Sequence, residues 1–414
     1  MSVPEVITMG CRLNLAESHA LAEQLGDQGN LVIVNSCAVT NEAVRQTRQA
    51  IRQARRRRPD ARIIVTGCAA QVEPDSFAAM PEIDAVLGNQ EKQRADFFRH
   101  GLNERVRVSD IMAVRQTAPH LATAFDGKTR AFVEVQTGCD HRCTFCIIPY
   151  GRGNSRSVPA GAVVEHVKKL VDNGAQEVVL TGVDVTSYGH DLPGSPKLGL
   201  LVERILKHVP ALPRLRLSSV DGVEIDARLF ELLTGEPRLM PHVHLSLQAG
   251  DNMILKRMKR RHSREQAIDL VARLKAARPD IAIGADIIAG FPTEDEAMFA
   301  TSIAMVDECD IVHGHIFPYS PKAGTPAAKM PQLPVATIKE RAKALRAATQ
   351  RRRDAWLESI VGTVQTVLVE KSGRSGHSEN FASVELSQSA TPGAIVRAHI
   401  ISAANGTLKG MIIQ

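Results

Sequence analysis

The first 120 residues alternate short apolar runs with amphipathic stretches of helical length. The runs EVITMG, LVIVNS and RIIVTG end in glycine or a polar residue, and apolar positions at helical spacing lie between them. This predicts strands separated by helices, hence a parallel, helix-covered sheet. Residues 117–130 lack periodicity and read as a linker. A second series starts at residue 131 with six strand candidates: AFVEVQ, EVVLTG, RLRLSS, HVHLSLQ, IAIGADIIAG and IVHGHIF. Helix-length segments such as AGAVVEHVKKLVDNG and REQAIDLVARLKAARP separate them. Six repeats fall short of the eight of a full TIM barrel, so a partial (β/α)6 barrel is expected. A helix near 335–358 precedes a change of character. Residues 361–414 alternate in short stretches, GTVQTVLVE and GAIVRAHII, divided by Gly, Ser and Asn. That pattern predicts a small β-barrel of about 60 residues, a size that can just fold alone. The chain is thus read as an α/β protein in three parts, 1–120, 131–350 and 353–414.

Composition narrows the function classes. Hydrophobic residues make up 44% of the 414 positions, enough for ordinary cores in two or three domains. Aromatics are only 4%, which argues against a surface of many stacking rings. The net charge of +6 is modest for this length, so an anionic partner depends on clustering of the basic residues. The sequence shows neither a signal peptide nor an apolar run near the ~20 residues needed to span a bilayer, which predicts a cytoplasmic protein. In a reducing compartment its seven cysteines are better read as ligands or catalytic groups than as disulfides.

Three of those cysteines are bunched. In TGCDHRCTFCIIPYGRG, directly after the strand AFVEVQ, Cys139, Cys143 and Cys146 fall within eight residues as C-x3-C-x2-C. Three thiolates can bind three irons of a 4Fe–4S cube, and with no fourth cysteine nearby the last iron stays open to a reacting molecule. The loop follows the C-terminal end of the first barrel strand, where barrel active sites form. A zinc site recruiting His141 is the alternative.

This region resembles the radical S-adenosylmethionine (SAM) enzymes. The resemblance implies that Cys139, Cys143 and Cys146 hold the catalytic cluster, whose open iron chelates the methionine part of SAM before a deoxyadenosyl radical is released. It also implies that Phe145 lies near the adenine and that TGVD at 181–184 meets the methionine amino group, with Thr181, Gly182 and Asp184 in contact. Gln248, Asp286 and Gly290 would line the rest of the SAM pocket. Strand-end turns and packing glycines are the plainer reading of these residues.

Cys11, Cys37 and Cys68 are far apart, yet each falls just past a predicted strand, in ITMG-C, IVNS-C and VTG-C. In a parallel sheet all strand C-termini open on one edge, so the three could converge there. Buried structural cysteines are the alternative, since free Cys often packs as a small hydrophobe. Cys309 reads as structural, and the alternating His242, His244, His313 and His315 carry no assigned role.

The segments GCRLNLAES, NSCAVTNEA and VTGCAAQ are similar to the N-terminal part of the radical SAM methylthiotransferases. The resemblance runs in order through the cysteine loop to the last ~60 residues, which resemble the RNA-binding TRAM barrel of that family. It implies that Cys11, Cys37 and Cys68 bind a second 4Fe–4S cluster involved in supplying sulfur. Details such as LSLQAGDNMILKRMKRRH most resemble the branch acting on threonylcarbamoyladenosine of tRNA, beside the anticodon. QAGD at 248–251 departs from the QSGSD form common in the family. The implied activity attaches a methylthio group to carbon 2 of the base, with the tRNA anticodon loop and a reduced flavodoxin or ferredoxin as partners. Branches acting on isopentenyladenosine or a ribosomal protein, and a non-catalytic iron–sulfur RNA sensor, are the competing readings.

Two basic runs fit an RNA partner. Arg55–Arg58 precede Pro59, where cations also suit a helix C-terminus. KRMKRR, with Lys256, Lys259, Arg260 and Arg261, follows a barrel strand closely and is expected to grip phosphates. Arg351–Arg353 read as a solvated helix face.

Overall fold

The computed structural model describes residues 4–26, 29–94, 96–99, 104–115 and 129–413. Most of the expected linker therefore lies outside the described residues. The N-terminal part is a five-stranded parallel sheet in sequential order: β1 (Glu5–Thr8), β2 (Leu31–Ser36), β3 (Arg62–Gly67), β4 (Ala85–Leu87) and β5 (Val106–Arg107). Helices α1 (Arg12–Leu25), α2 (Asn41–Arg57), α3 (Cys68–Val72), α4 (Pro74–Ala78) and α5 (Asp96–Arg99) accompany it. Strand β2 is buried at every position, as a strand covered on both faces must be. Thr40 caps α2 by accepting from Ala43 N at 3.1 Å, which fixes where the chain leaves the sheet edge after β2. Strands β4 and β5 go beyond the three runs visible in the sequence, because three and two residues carry no periodicity.

The central part contains β6 (Arg130–Thr137), α6 (Ile148–Arg152), β7 (Arg156–Ser157), α7 (Ala160–Asp172), β8 (Glu177–Gly182), α8 (Leu198–His208), β9 (Arg214–Leu217) and α9 (Ala227–Gly235). It continues through β10 (His242–Gln248), α10 (Asn252–Arg257), α11 (Arg264–Ala277), β11 (Ala282–Ala289), α12 (Glu296–Glu308), β12 (Ile311–Pro318) and α13 (Val335–Ile360). The six expected strands are β6, β8, β9, β10, β11 and β12, and their ladders are all parallel. They form sheets β7-β6-β8-β9 and β10-β11-β12, joined by isolated bridges such as Val220–Leu245. The small antiparallel β7 is an addition that two residues could not announce. Ser263 and Gln266 close a capping box on α11, and Asp251, Asp226 and Asp295 cap α10, α9 and α12.

Strands β13 (Val364–Val369), β14 (Ser375–Ser378), β15 (Ser383–Leu386), β16 (Ile395–Ala404) and β17 (Thr407–Ile413) close into a barrel. Its core is continuous with Ala282, Val312 and Trp356, so it is seated on β11, β12 and α13. The seam is strongly polar. Buried Glu177 meets Arg130 at 2.7 Å and Arg216 at 3.1 Å. Those arginines in turn reach Glu370 at 2.9 Å and the Glu379 carbonyl at 3.1 Å on the small barrel. Burial alone would raise the Glu177 pKa, but the three guanidiniums of Arg216, Arg130 and Arg214 outweigh it and hold the carboxyl at about 2. No helix among the described residues is long and apolar enough to cross a membrane.

Candidate functional site

Sheet register brings the dispersed cysteines together. Thr8 pairs with Asn35, and Ser36 with Gly67, so the ends of β1, β2 and β3 lie level. Cys11, Cys37 and Cys68 follow those ends. Asn14 ties them by donating to the Met9 carbonyl at 2.8 Å and the Ser36 carbonyl at 3.0 Å. Gly10 has φ +89°, and a Cβ there would stand 2.6 Å from Cys37 Cβ, so only glycine lets the first turn close on the second. Burial pushes the Cys37 thiol up to about 11, and Cys68 and Cys11 add to the rise. Cys11 is raised too, by burial and by Cys68. Thiols held protonated chiefly by burial, and in part by neighbouring thiols, lose that penalty once metal binds.

The bunched cysteines are held by different means. Cys139 N donates to the Gly153 carbonyl at 3.1 Å, and Thr144 Oγ1 to the Arg257 carbonyl at 2.8 Å, which pins the loop to the end of α10. Gln136 accepts from Val183 N and Asp184 N at 3.1 and 2.9 Å while donating to the Gly138 carbonyl at 2.7 Å. It thereby locks the segment after β8 to the cysteine loop. Burial raises Cys146 to about 12, with Cys143 contributing. Cys139 rises well above the ordinary range through burial and Asp184, whose Oδ2 lies 3.7 Å from its sulfur. His141 Nε2 stands 2.9 Å from Asp184 and 3.7 Å from Glu224, and these carboxylates raise its pKa to about 9. The His141 ring nitrogen is directed at these two carboxylates.

Helix α6 begins two residues after Cys146 and ends at Arg152, which is buried against the other set. Arg152 Nε donates to Cys68 Sγ at 3.2 Å, while its terminal nitrogens bind Glu17 at 2.8 Å and Asn14 at 2.6 Å. Glu17 also takes Lys92 at 2.7 Å, so the buried charges are paired. Between the sheet edge and the barrel lies a cavity of about 1070 Å³. Cys11, Cys37 and Cys68 wall one side, Thr181, Gly182, Gln248 and Asp286 the barrel side, and His313, Arg353 and Phe381 the side toward the small barrel. His244 and His315 lie 3.1 and 3.3 Å from Asp286. Burial raises the Asp286 pKa, but those imidazoles outweigh it, and the carboxyl stays well below its ordinary range.

The expected site residues fare unequally. Thr181, Gly182, Gln248 and Asp286 line the cavity, and Gln248 has φ +70° at the end of β10. Asp184 stands beside Cys139 instead, at the mouth of the loop. Phe145 packs edge-to-face on Phe291, with centroids 6.4 Å apart, in a small apolar cluster. Gly290 faces helix α13, where a Cβ would come 2.9 Å from Ile338, and it is not among the residues lining this cavity. Arg260 is a correction. It is turned inward, donating to Asp221 at 2.9 Å and the Ser246 carbonyl at 2.7 Å, with Cys143 Sγ at 3.7 Å. Its chain position in a basic run is therefore no guide to phosphate contact. Arg261 is exposed but paired with Glu224 at 2.7 Å, whereas Lys256 and Lys259 are exposed. Arg152, Gln136, Glu17 and the cavity histidines were missed. A GRG following the cysteines was the one visible cue to Arg152.

A thiol triplet at the mouth of a six-stranded parallel partial barrel defines the class of radical SAM enzymes, and residues 133–306 match the Radical SAM superfamily. Residues 4–88 match a family described as uncharacterized protein family UPF0004. The threonylcarbamoyladenosine tRNA methylthiotransferase of Rickettsia prowazekii is 48% identical over 99% of this chain and 97% of its own. Its counterpart in Aquifex aeolicus is 36% identical over 89% and 92%. A tRNA-2-methylthio-N(6)-dimethylallyladenosine synthase of Cereibacter sphaeroides is 34% identical over 97% of both. Among solved structures, the radical SAM methyltransferase TsrM of Kitasatospora setae superposes with TM-score 0.54 at 15% identity over 79% of this chain and 75% of its own, a likeness of fold. The chain belongs to the radical SAM methylthiotransferase family. It is an enzyme, and membership carries SAM and a 4Fe–4S cluster as its cofactors.

Proposed function

We propose that this chain is a tRNA methylthiotransferase that adds a methylthio group to carbon 2 of N6-threonylcarbamoyladenosine beside the anticodon. The observation that carries the reading is the shared chamber: three convergent thiols form one wall and the SAM-side strand ends face them. In this reading the three parts, 1–120, 131–350 and 353–414, divide the work. Cys139, Cys143 and Cys146 hold the SAM-binding cluster, and Cys11, Cys37 and Cys68 hold a second 4Fe–4S cluster. Bound there, the first supplies reductive cleavage of SAM and the second a site for sulfur.

The chain's own residues do the rest. Asp184, beside Cys139, presents a carboxylate to the methionine ammonium. Thr181, Gly182, Gln248 and Asp286 shape the pocket for the nucleoside part. Arg152 sets positive charge against Cys68 and ties that wall to the SAM side through α6. The chamber has room for one unstacked base, and an anticodon loop permits that unstacking at modest cost. Lys256 and Lys259, exposed after β10, hold the flanking phosphates, and the small barrel adds RNA contact. A reduced flavodoxin or ferredoxin supplies the electron. Mass spectrometry of tRNA nucleosides from cells lacking the gene tests the reading. Loss of methylthio-threonylcarbamoyladenosine supports it, and loss of the isopentenyl relative overturns it.

A further inference from the structure

The side of the chamber toward the small barrel holds a cation without a hydrogen-bond or ion-pair partner among the described residues. Arg12, the residue after Cys11, reaches into the cavity and lies over the rings of Phe381 and Phe132, at 5.6 and 6.0 Å from their centroids. Other cavity arginines are engaged: Arg152 with Glu17, and Arg353 with His313 at 3.1 Å and the Gly406 carbonyl at 3.2 Å. Arg12 makes no hydrogen bond or ion pair among the described residues. The guanidiniums of Arg130 and Arg216 crowd the same Phe381 ring, at 5.2 and 4.8 Å from its centroid. A cation kept in such a place is stabilised by an anion that arrives from outside.

A second observation lies beside it. His242 is only 4% exposed, lines the same cavity, and leaves both ring nitrogens without a hydrogen-bond partner among the described residues. Its ring packs on Phe381, with centroids 5.1 Å apart. Burial, then His313 and Arg216, keep it neutral, so it offers one N–H and one lone pair. A buried group with both valences open is costly unless a ligand fills them.

We infer that Arg12 and His242 form the specificity subsite for the N6 appendage of the target base, Arg12 taking its carboxylate and His242 a neutral polar group beside it. This rests on the function proposed above and goes further: it names the element by which a carboxylate-bearing adenosine is told from one with an apolar N6 chain. The threonylcarbamoyl group carries one carboxylate, one hydroxyl and a urea, whereas an isopentenyl group would leave Arg12 and His242 both unmet. A site whose buried polar groups go unpaired with the wrong substrate discriminates strongly. Phe381 makes the small barrel a wall of this subsite as well as an RNA-binding appendage.

The test uses the enzyme with both clusters reconstituted and an anticodon stem-loop bearing threonylcarbamoyladenosine, its methyl ester, or isopentenyladenosine. The wild type is expected to favour the free acid over the ester by roughly 10- to 100-fold in kcat/KM, the range of a charge-assisted hydrogen bond. In Arg12→Gln that ratio should fall toward one, chiefly through KM, with iron and sulfide content unchanged. Arg12→Lys should recover part of it. Equal use of acid and ester by the wild type overturns the inference without needing any variant. An unchanged ratio in Arg12→Gln also overturns it, as does a uniform loss on all three RNAs, which would mark Arg12 as a phosphate contact. In those cases turnover of the threonylcarbamoyl RNA leaves the proposed function standing. Turnover of the isopentenyl RNA alone removes that function and this inference together.

Discussion

The two cysteine triplets are alike in number and chemistry and opposite in construction. Cys139, Cys143 and Cys146 share one loop, anchored by the Gly153 carbonyl at its start and by Thr144 on α10 further along. Cys11, Cys37 and Cys68 lie on three turns, and only the level ends of β1, β2 and β3 bring them together. The loop is a local solution that sequence spacing nearly dictates. The sheet edge is a global one, whose geometry is only as good as the register and packing beneath it. A local set tolerates strain elsewhere, whereas a dispersed set inherits it.

The largest effect should come from the cysteines themselves. Cys143→Ala is expected to abolish deoxyadenosine release from SAM under dithionite, read by chromatography. Cys37→Ala should abolish methylthio transfer while release persists. Loss of both activities in both variants would break the comparison. Next is a change remote from either set. Glu177→Gln removes the carboxylate at which Arg130, Arg214 and Arg216 meet, and should cost about 3–5 kcal/mol in urea unfolding. Its carboxyl sits at about 2 instead of 4.5, so its stabilisation is complete above 4.5 and is lost as pH falls from there toward 2. The unfolding midpoint of the metal-free wild type should fall through that window, and the variant should lack that component.

A smaller change separates the triplets directly. Gly10→Ala places a methyl 2.7 Å from Cys37 Sγ at φ +89°, with strain of about 1–3 kcal/mol. Iron bound by the dispersed set should drop while the loop keeps its own, read by iron analysis and electron paramagnetic resonance. Gly138→Ala, at φ +72° against the Asn154 carbonyl, should do the reverse. The smallest effect belongs to Lys256→Ala with Lys259→Ala. Both sets should be retained, and the slope of log affinity for tRNA against log salt should flatten by roughly 0.7–0.9 for each phosphate no longer neutralised. An unchanged slope would remove these lysines from the RNA path.

Legibility followed sequence distance. The six barrel strands and the cysteine loop could be read because periodicity and ligand spacing are short-range signals. β4, β5 and β7 could not, being two or three residues each. The KRMKRR run shows the limit most clearly. Its basic residues look alike in the sequence, yet burial turned Arg260 inward against Asp221 and left Lys256 and Lys259 outside. Gly290 shows the same limit, since a strand-end glycine lines a pocket or packs a helix according to what stands beside it.

By itself the sequence determined the order of elements, the three-thiol loop and the placement of Cys11, Cys37 and Cys68 at strand ends. These follow from backbone periodicity and covalent spacing. Tertiary structure alone decided that Arg152 touches Cys68, that neither Arg12 nor His242 has a side-chain hydrogen-bond partner among the described residues, and that Phe381 of the small barrel lines the chamber. Such facts depend on which buried groups meet across long stretches of chain, as Cys68 and Arg152 do at a separation of 84. No local pattern encodes which desolvated group finds a partner and which is left for a ligand.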